Sequence, residues 1–289
     1  MIDVKYHLVS IIAIFCALAL GLFIGSNLVG NDILVEQQKE VVASLEQEFN
    51  LLREQNKITQ QETAELKASI EKYRSFGVQV LPLIVGGQLE GKKVAVIETN
   101  AQGLADNVVQ VLNMSGAEVS STIILDWEST PNWRMIIQGD ASEKPLPTRE
   151  LYTKAAVKMG GIIYNGEDMV TASKLIDCGF LNVNGELGQD IDSVIILDGG
   201  QDNIQHVVEY YNLPLAEYFM DHGVFVAAGE EEDSLFSSLE KYKLKQITTI
   251  DNIDTPIGLT SVVYAVAGNK GCFGVGQTAE RLIPEMDEQ

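Results

Sequence analysis

Basic residues are scarce in this chain: 20 Lys and Arg stand against 41 Asp and Glu, a formal net charge of −21. Such a surface is repelled by phosphate backbones, so nucleic acid is excluded as an expected partner. Cysteine is limited to Cys16, Cys178 and Cys272. These are too few for a disulfide framework and too far apart in sequence for a zinc knuckle or a dithiol redox pair. Phosphate-binding and catalytic motifs are missing as well. No GxGxxG follows the first strand-like run, and there is no GxxxxGK[ST] or GxSxG. A nucleotide-binding enzyme needs a glycine loop, and the expectation is that the chain is not an enzyme.

Charge is absent from Leu8 to Val29, a run of 22 residues. As a helix this run is about 33 Å long, enough to cross a hydrocarbon core of about 30 Å. A cleaved signal peptide would need a box such as Ala17-Leu-Ala19, yet the apolar stretch continues for ten residues beyond it. The expectation is an uncleaved signal-anchor, a transmembrane helix over residues 8–29 behind a cytoplasmic tip at 1–7. Lys5 precedes the span, whereas Asp32 and Glu36 follow it before the first base, Lys39. The positive-inside rule then places the amino terminus in the cytoplasm and the rest of the chain outside. Within the span Ala13, Ala17, Gly21 and Gly25 recur every fourth residue. They share one face, and small residues there let two membrane helices approach closely.

Proline and glycine are absent from Asp32 to Phe76, where Glu, Gln, Lys, Leu and Ala dominate as good helix formers. A heptad fits residues 31–76. Val35, Val42, Phe49, Asn56, Thr63 and Ile70 fall at a, and Gln38, Leu45, Leu52, Thr59, Leu66 and Tyr73 at d. Eight of these twelve are apolar, and Asn56 at a favours a two-stranded, in-register pair. Glu48 faces Arg53 of a partner, and Glu62 faces Lys67, as a parallel dimer requires. The weaker centre, Asn56 to Thr63, leaves open a lone amphipathic helix folded on the remaining domain. The paired reading gives a stalk of roughly 65–70 Å.

A breaker-rich connector over residues 77–92, Val80-Leu-Pro82 to Gly86-Gly87, is expected to end the stalk. Beyond it short apolar runs alternate with helical stretches. Strands are expected at Val94–Ile97, Val119–Leu125, Ser193–Leu197, Val224–Ala228 and Gln246–Ile250. Helices are expected at Leu104–Ser115, Thr148–Met159 (capped by Thr148, with Gly160-Gly161 after it), Asp168–Cys178, Pro214–His222, Leu235–Tyr242 and Pro256–Ala267. Near-continuous apolar strands between helices predict an α/β fold over 93–289, a Rossmann-like, doubly wound parallel sheet. Its ligand edge, beyond the strand carboxyl ends, carries acids. Asp198, Asp202, Asp251 and Asp254 include the oxygens a hard cation needs, although aspartates in such places more often cap the next helix, as Asp254 or Thr255 does before Pro256. Gly199-Gly200 serves a close ligand approach or a tight turn equally well.

Tyr6-His7-Leu8-Val9-Ser10, Ala17-Leu-Ala-Leu-Gly21 and Gly25-Ser26 resemble the amino terminus of the MctB-like family, which includes SteB. Asp251-Asn-Ile-Asp254, Gly258, Gly274-Val-Gly276 and Pro284 resemble its carboxyl-terminal signature. The resemblance covers essentially the whole chain. It implies copper transport or copper homeostasis in the bacterial envelope, with copper as a possible cofactor. SteB-like members imply instead an envelope partner of SteA in septal wall remodelling. Neither implication supplies a metal motif to carry over. Soft ligands suit Cu(I), and the weak candidates are Met220, His222, Cys178 and Cys272. Met220 and His222 point apart at i+2 on a helix, and the two cysteines either pair outside the cell or merely pack. One apolar span per chain cannot line a water-filled path unless many chains gather, so an accessory role is expected rather than conduction.

Overall fold

The computed structural model describes residues 4–101, 103–127, 132–139, 144–199 and 205–285, without the side chains of 27–34 and 205. The described residues divide into two units, Met1–Glu71 and Lys72–Gln289.

In the first unit the backbone is helical from Val4 onward. Helix α1 (Val4–Val85) runs unbroken through the Gly30-Asn31 step and on into the second unit. Val4–Ser26 is long and apolar enough to cross a membrane, and none of it is buried within the chain. The heptad residues Val42, Leu45, Phe49, Leu52, Leu66 and Ile70 are likewise exposed.

The second unit is α/β. After α1 come β1 (Lys93–Glu98), α2 (Ala105–Met114), β2 (Glu118–Leu125), α3 (Asn132–Gln138), α4 (Thr148–Asn165), α5 (Met169–Asp177), β3 (Leu181–Gly185) and β4 (Ser193–Asp198). Then follow α6 (Gln205–Val207), a π-helical turn (Val208–Asn212), α7 (Leu213–Asp221), β5 (Phe225–Glu230), α8 (Leu239–Leu244), β6 (Thr248–Ile250), α9 (Pro256–Val266) and β7 (Cys272–Phe273). The strands form one seven-stranded sheet in the order β3-β2-β1-β4-β5-β6-β7. All neighbours are parallel except β3, which runs antiparallel to β2. Strand order reverses between β1 and β4, the arrangement of a doubly wound sheet.

Period-two alternation divides each central strand between two cores. Ala95, Ile97, Val194, Ile196, Val226 and Ala228 face a core built on Trp133, Met159, Phe180, Tyr211, Phe219 and Tyr242. Val94, Val96, Ile195, Leu197 and Ala227 face the other, with Leu112, Val262 and Val263 and with Leu81, Val85 and Leu89 from the first connection.

Several expectations need correction. The connector 77–92 is helical as far as Val85, with Pro82 inside the helix. An interior proline costs about 3 kcal/mol. Burial of Leu81, Val85 and Leu89 offsets that at roughly 1.5–3 kcal/mol per side chain. Gly77 fits because a Cβ there would lie 2.8 Å from Pro256 Cβ at the start of α9. The sheet is mixed rather than wholly parallel, because Leu181-Asn-Val-Asn-Gly185 returns as an antiparallel edge. Helix α4 does not stop at Gly160-Gly161 but reaches Asn165. A Cβ at Gly160 would overlap the Tyr218 ring, so the glycine marks helix packing and not a helix end. Thr148 begins α4 instead of capping it; the cap position is Pro147. Helix α8 starts at Leu239, leaving Leu235 exposed in a loop.

Candidate functional site

Two clusters lie along the carboxyl edge of the sheet. The first is at the reversal point between β1 and β4, where doubly wound folds hold dinucleotides with the pyrophosphate on a helix amino terminus. Here the chain fills that place itself. Glu98, the last residue of β1, is 1% exposed. Its carboxylate accepts from the Gly103 and Leu104 amides, and from Ala105 N at 3.0 Å. Strand alternation puts Glu98 on the α2 side together with Val94 and Val96, so the negative end of the interaction is supplied internally. Beside it Thr99 Oγ1 donates to Leu197 O at 3.1 Å and accepts from Asn212 Nδ2 at 3.1 Å. Asn100 Nδ2 donates to Gly199 O. Gly200 and Asp202 lie outside the described residues.

The second cluster surrounds a cavity of about 500 Å³ beyond β5 and β6, lined by Glu230, Glu231, Glu232, Glu240 and Asp251 among others. Its organiser is the Asp251-Asn-Ile-Asp254 stretch. The Asp251 carboxylate accepts from Val275 N and Gly276 N, each at 2.6 Å. A Cβ at Gly274 would overlap Asp251 Oδ1, and one at Gly276 would lie 2.5 Å from Oδ2, so both glycines are there to let the loop close on the carboxylate. Ile253 is fully buried and fills the space a Cβ at Gly229 would take. Asp254 Oδ1 accepts from Glu232 N at 2.8 Å, holding the loop after β5. Thr255 caps α9, accepting from Gly258 N at 3.2 Å. A Cβ at Gly258 would overlap the Asn252 carbonyl oxygen. Arg74 of α1 pairs with Glu232 across the rim, in a half-exposed setting where such a pair contributes little.

Burial pushes the Glu230 carboxyl up to about 6, and the neighbouring Asp198 and Asp251 add to the shift. Burial also raises the Tyr242 hydroxyl well above its ordinary range, again with Asp198 contributing.

The hard-cation reading of Asp198, Asp251 and Asp254 fails on these contacts. Asp251 clasps a loop, Asp254 caps one, and Asp198 Oδ2 accepts from Ser238 Oγ at 2.7 Å and Tyr242 Oη at 3.1 Å. Among the described residues no three His, Cys, Asp or Glu gather as a metal would need. The soft candidates are scattered. Met220 is exposed at the end of α7 and faces a cleft with Val224, Gln246 and Lys270. His222 lies against Tyr218, ring centroids 4.3 Å apart, with Nδ1 2.7 Å from Tyr218 O. Cys178 is half-buried, its thiol donating to Leu175 O, while Cys272 is buried in β7. Cys178 precedes β3 and Cys272 sits on β7, the opposite edge strands. Six strand spacings put them about 25–30 Å apart, far beyond disulfide reach, so the pairing reading is withdrawn.

Sequence reasoning missed Glu98 and Glu230 as buried acids, and it left Asp251 and Asp254 between cation ligands and caps of the next helix. Their pairing with Gly274, Gly276 and the loop after β5 was visible only as a recurring signature. The small-residue face, Ala13, Ala17, Gly21 and Gly25, is exposed on one stripe of α1, and a Cβ at Gly21 or Gly25 would meet nothing within 4 Å in this chain.

An apolar amino-terminal helix long enough to cross a membrane, a long helix and a doubly wound α/β unit fit a membrane-anchored protein. The chain belongs to the MctB family: the family profile described as "Copper transport outer membrane protein, MctB" matches residues 1–284. It is similar to the protein named "Copper transporter MctB" in Mycobacterium tuberculosis and in Mycobacterium bovis, 28% identical over 130 residues in each case. The match takes in 44% of this chain and 39% of those relatives, so it spans about two-fifths of their length.

Proposed function

We propose that this chain is a single-pass envelope protein whose long helix pairs in parallel with that of a second copy, and that it serves copper homeostasis in an accessory, non-catalytic role rather than as a pore. The amino terminus then lies in the cytoplasm and the α/β unit outside the cell membrane. The observation that carries the pairing is the state of α1. Its apolar heptad residues, from Val35 at 48% to Tyr73 at 76%, are exposed. Burying each against a partner is worth roughly 1.5–3 kcal/mol. Gly21 and Gly25 support it, since glycine inside a helix costs about 0.5–1 kcal/mol relative to alanine and nothing in the chain itself fills their space.

The copper component comes from the family description and from the relatives' name. A pore is disfavoured because the sheet is covered by helices on both faces and the described residues of each chain offer one helix long and apolar enough to cross a membrane.

A second reading is a structural adaptor that docks an envelope or cell-division partner, SteA-like or otherwise, in wall remodelling, with no metal handling. The scatter of Met220, His222, Cys178 and Cys272 favours it. Full-length protein taken from lightly crosslinked membranes separates the two by elemental analysis and by its co-purifying proteins. Stoichiometric copper, lost on Cys178→Ser, Cys272→Ser or His222→Ala, would support direct copper handling. A metal-free sample carrying a wall or division protein would support the adaptor. Copper-handling proteins in a metal-free sample would support the accessory role.

A further inference from the structure

Asp198 and Glu230 are in-register partners at the ends of the adjacent parallel strands β4 and β5. In-register residues of a parallel pair face the same side, and neighbouring strands are about 4.8 Å apart. Both acids share the side of Val194, Ile196, Val226 and Ala228, the side that α8 covers. They are 2% and 5% exposed. Both hold the same residue at the start of α8: Ser238 Oγ donates to Asp198 Oδ2 at 2.7 Å, and Ser238 N donates to Glu230 Oε2 at 3.2 Å. The other Asp198 oxygen, Oδ1, has no partner among the described residues.

Among the described residues no cation lines the cavity beside these two acids. Asp251 faces Glu230 from the end of β6 and Tyr242 faces it from α8. Glu231, Glu232 and Glu240 line the same cavity, and no Lys, Arg or His does. The nearby bases are engaged elsewhere: Arg74 with Glu232, Lys241 with Glu209, and Lys243 with Glu280 and Thr278 O. Two buried carboxylates side by side without a cation resist ionising together.

We infer that Glu230 keeps its proton where it is buried beside Asp198, and that loss of this proton to solvent, which sets a second negative charge against Asp198, loosens the segment 231–238 and the start of α8, opening the acidic cavity. Asp251 is clasped by Val275 N and Gly276 N and does not retreat. The element that yields is therefore the one tied through Ser238. The upward shift of Glu230 to about 6 places the change near neutral pH. This device is independent of the proposed copper role and of dimerisation.

The test is hydrogen exchange on the full chain in detergent micelles, with protection corrected for intrinsic rate and compared between 231–245 and a β1 control at 94–97. Protection of 231–245 should fall roughly tenfold between about pH 5 and about pH 8, while the control stays level. Glu230→Gln and Asp198→Asn should each remove the fall. A level wild-type profile, or a fall of equal size in both variants, overturns the inference. If either variant does not fold, carboxyl NMR of Glu230 in the wild type decides: a midpoint near 6 supports the retained Glu230 proton, and one near the ordinary glutamate value overturns it.

Discussion

Replacing Asp251 tests whether the family signature is a clasp. Its two oxygens take the Val275 and Gly276 amides at 2.6 Å each, and the residue is 6% exposed. Charge-assisted hydrogen bonds contribute about 1.5–3 kcal/mol apiece, and unsatisfied buried donors add a desolvation cost. Asp251→Ala therefore removes roughly 3–5 kcal/mol. Asp251→Asn keeps one acceptor but presents an amide donor to the second N–H, so it loses about half or more of that. For a unit of this size about 1 kcal/mol shifts Tm by roughly 2–4 °C, so the alanine variant should melt roughly 6–20 °C lower. Near-UV circular dichroism of the full-length protein in detergent follows the α/β unit, which holds both tryptophans, Trp127 and Trp133. A loss under about 1 kcal/mol for Asp251→Ala would refute the clasp.

Gly258→Ala should be at least as damaging as Asp251→Asn, because its Cβ overlaps the Asn252 carbonyl; denaturant midpoints compare the two. Gly21→Leu with Gly25→Leu should weaken self-association in membranes while leaving the near-UV melt of the α/β unit unchanged, as sedimentation in matched detergent would show. Stability should also depend on pH through Glu230. Its folded pKa of about 6 lies above its ordinary 4.5, so the folded state binds the proton more tightly. That contribution, about 2 kcal/mol, is full below about pH 4.5 and is lost as pH rises through about 6. Glu230→Gln should remove this component from a pH series of urea midpoints. Asp168 carries the opposite sign. Hydrogen bonds from Lys158 and Thr171 hold it down to about 2, so what it adds is present above its ordinary pKa of 3.8 and fades as pH falls toward 2.

Legibility followed how local each signal is. The central strands announce themselves because both faces are buried, which forces continuous apolar runs such as Val94-Ala-Val-Ile97 and Ser193 to Leu197. Thr255-Pro256 marks the start of α9 by cap chemistry alone. The edge strands were hidden. β3 alternates Asn182 and Asn184 with apolar residues and is five residues long, and β7 has two. Glycine and proline misled where tertiary packing overrules local preference, at Pro82 beneath the second core and at Gly160 against Tyr218. The Glu98 cap spans a loop of five to seven residues, and Asp251 meets the Val275 and Gly276 amides 24 and 25 residues on. No periodicity reports such a contact. The helix over residues 35–73, by contrast, was readable because its apolar spacing is a local pattern, whereas its continuation to Val85 was not.

The proposed pairing of α1 is tested most directly by cysteine crosslinking in intact cells. Full-length chains carrying Leu45→Cys or Leu52→Cys, with Cys16 replaced by alanine, are oxidised mildly and compared with Gln47→Cys and Glu54→Cys, at positions facing away from the seam. Parallel pairing predicts disulfide-linked dimers at residues 45 and 52 and few at 47 and 54. Failure to bridge at 45 and 52, or equal bridging at all four, would contradict it.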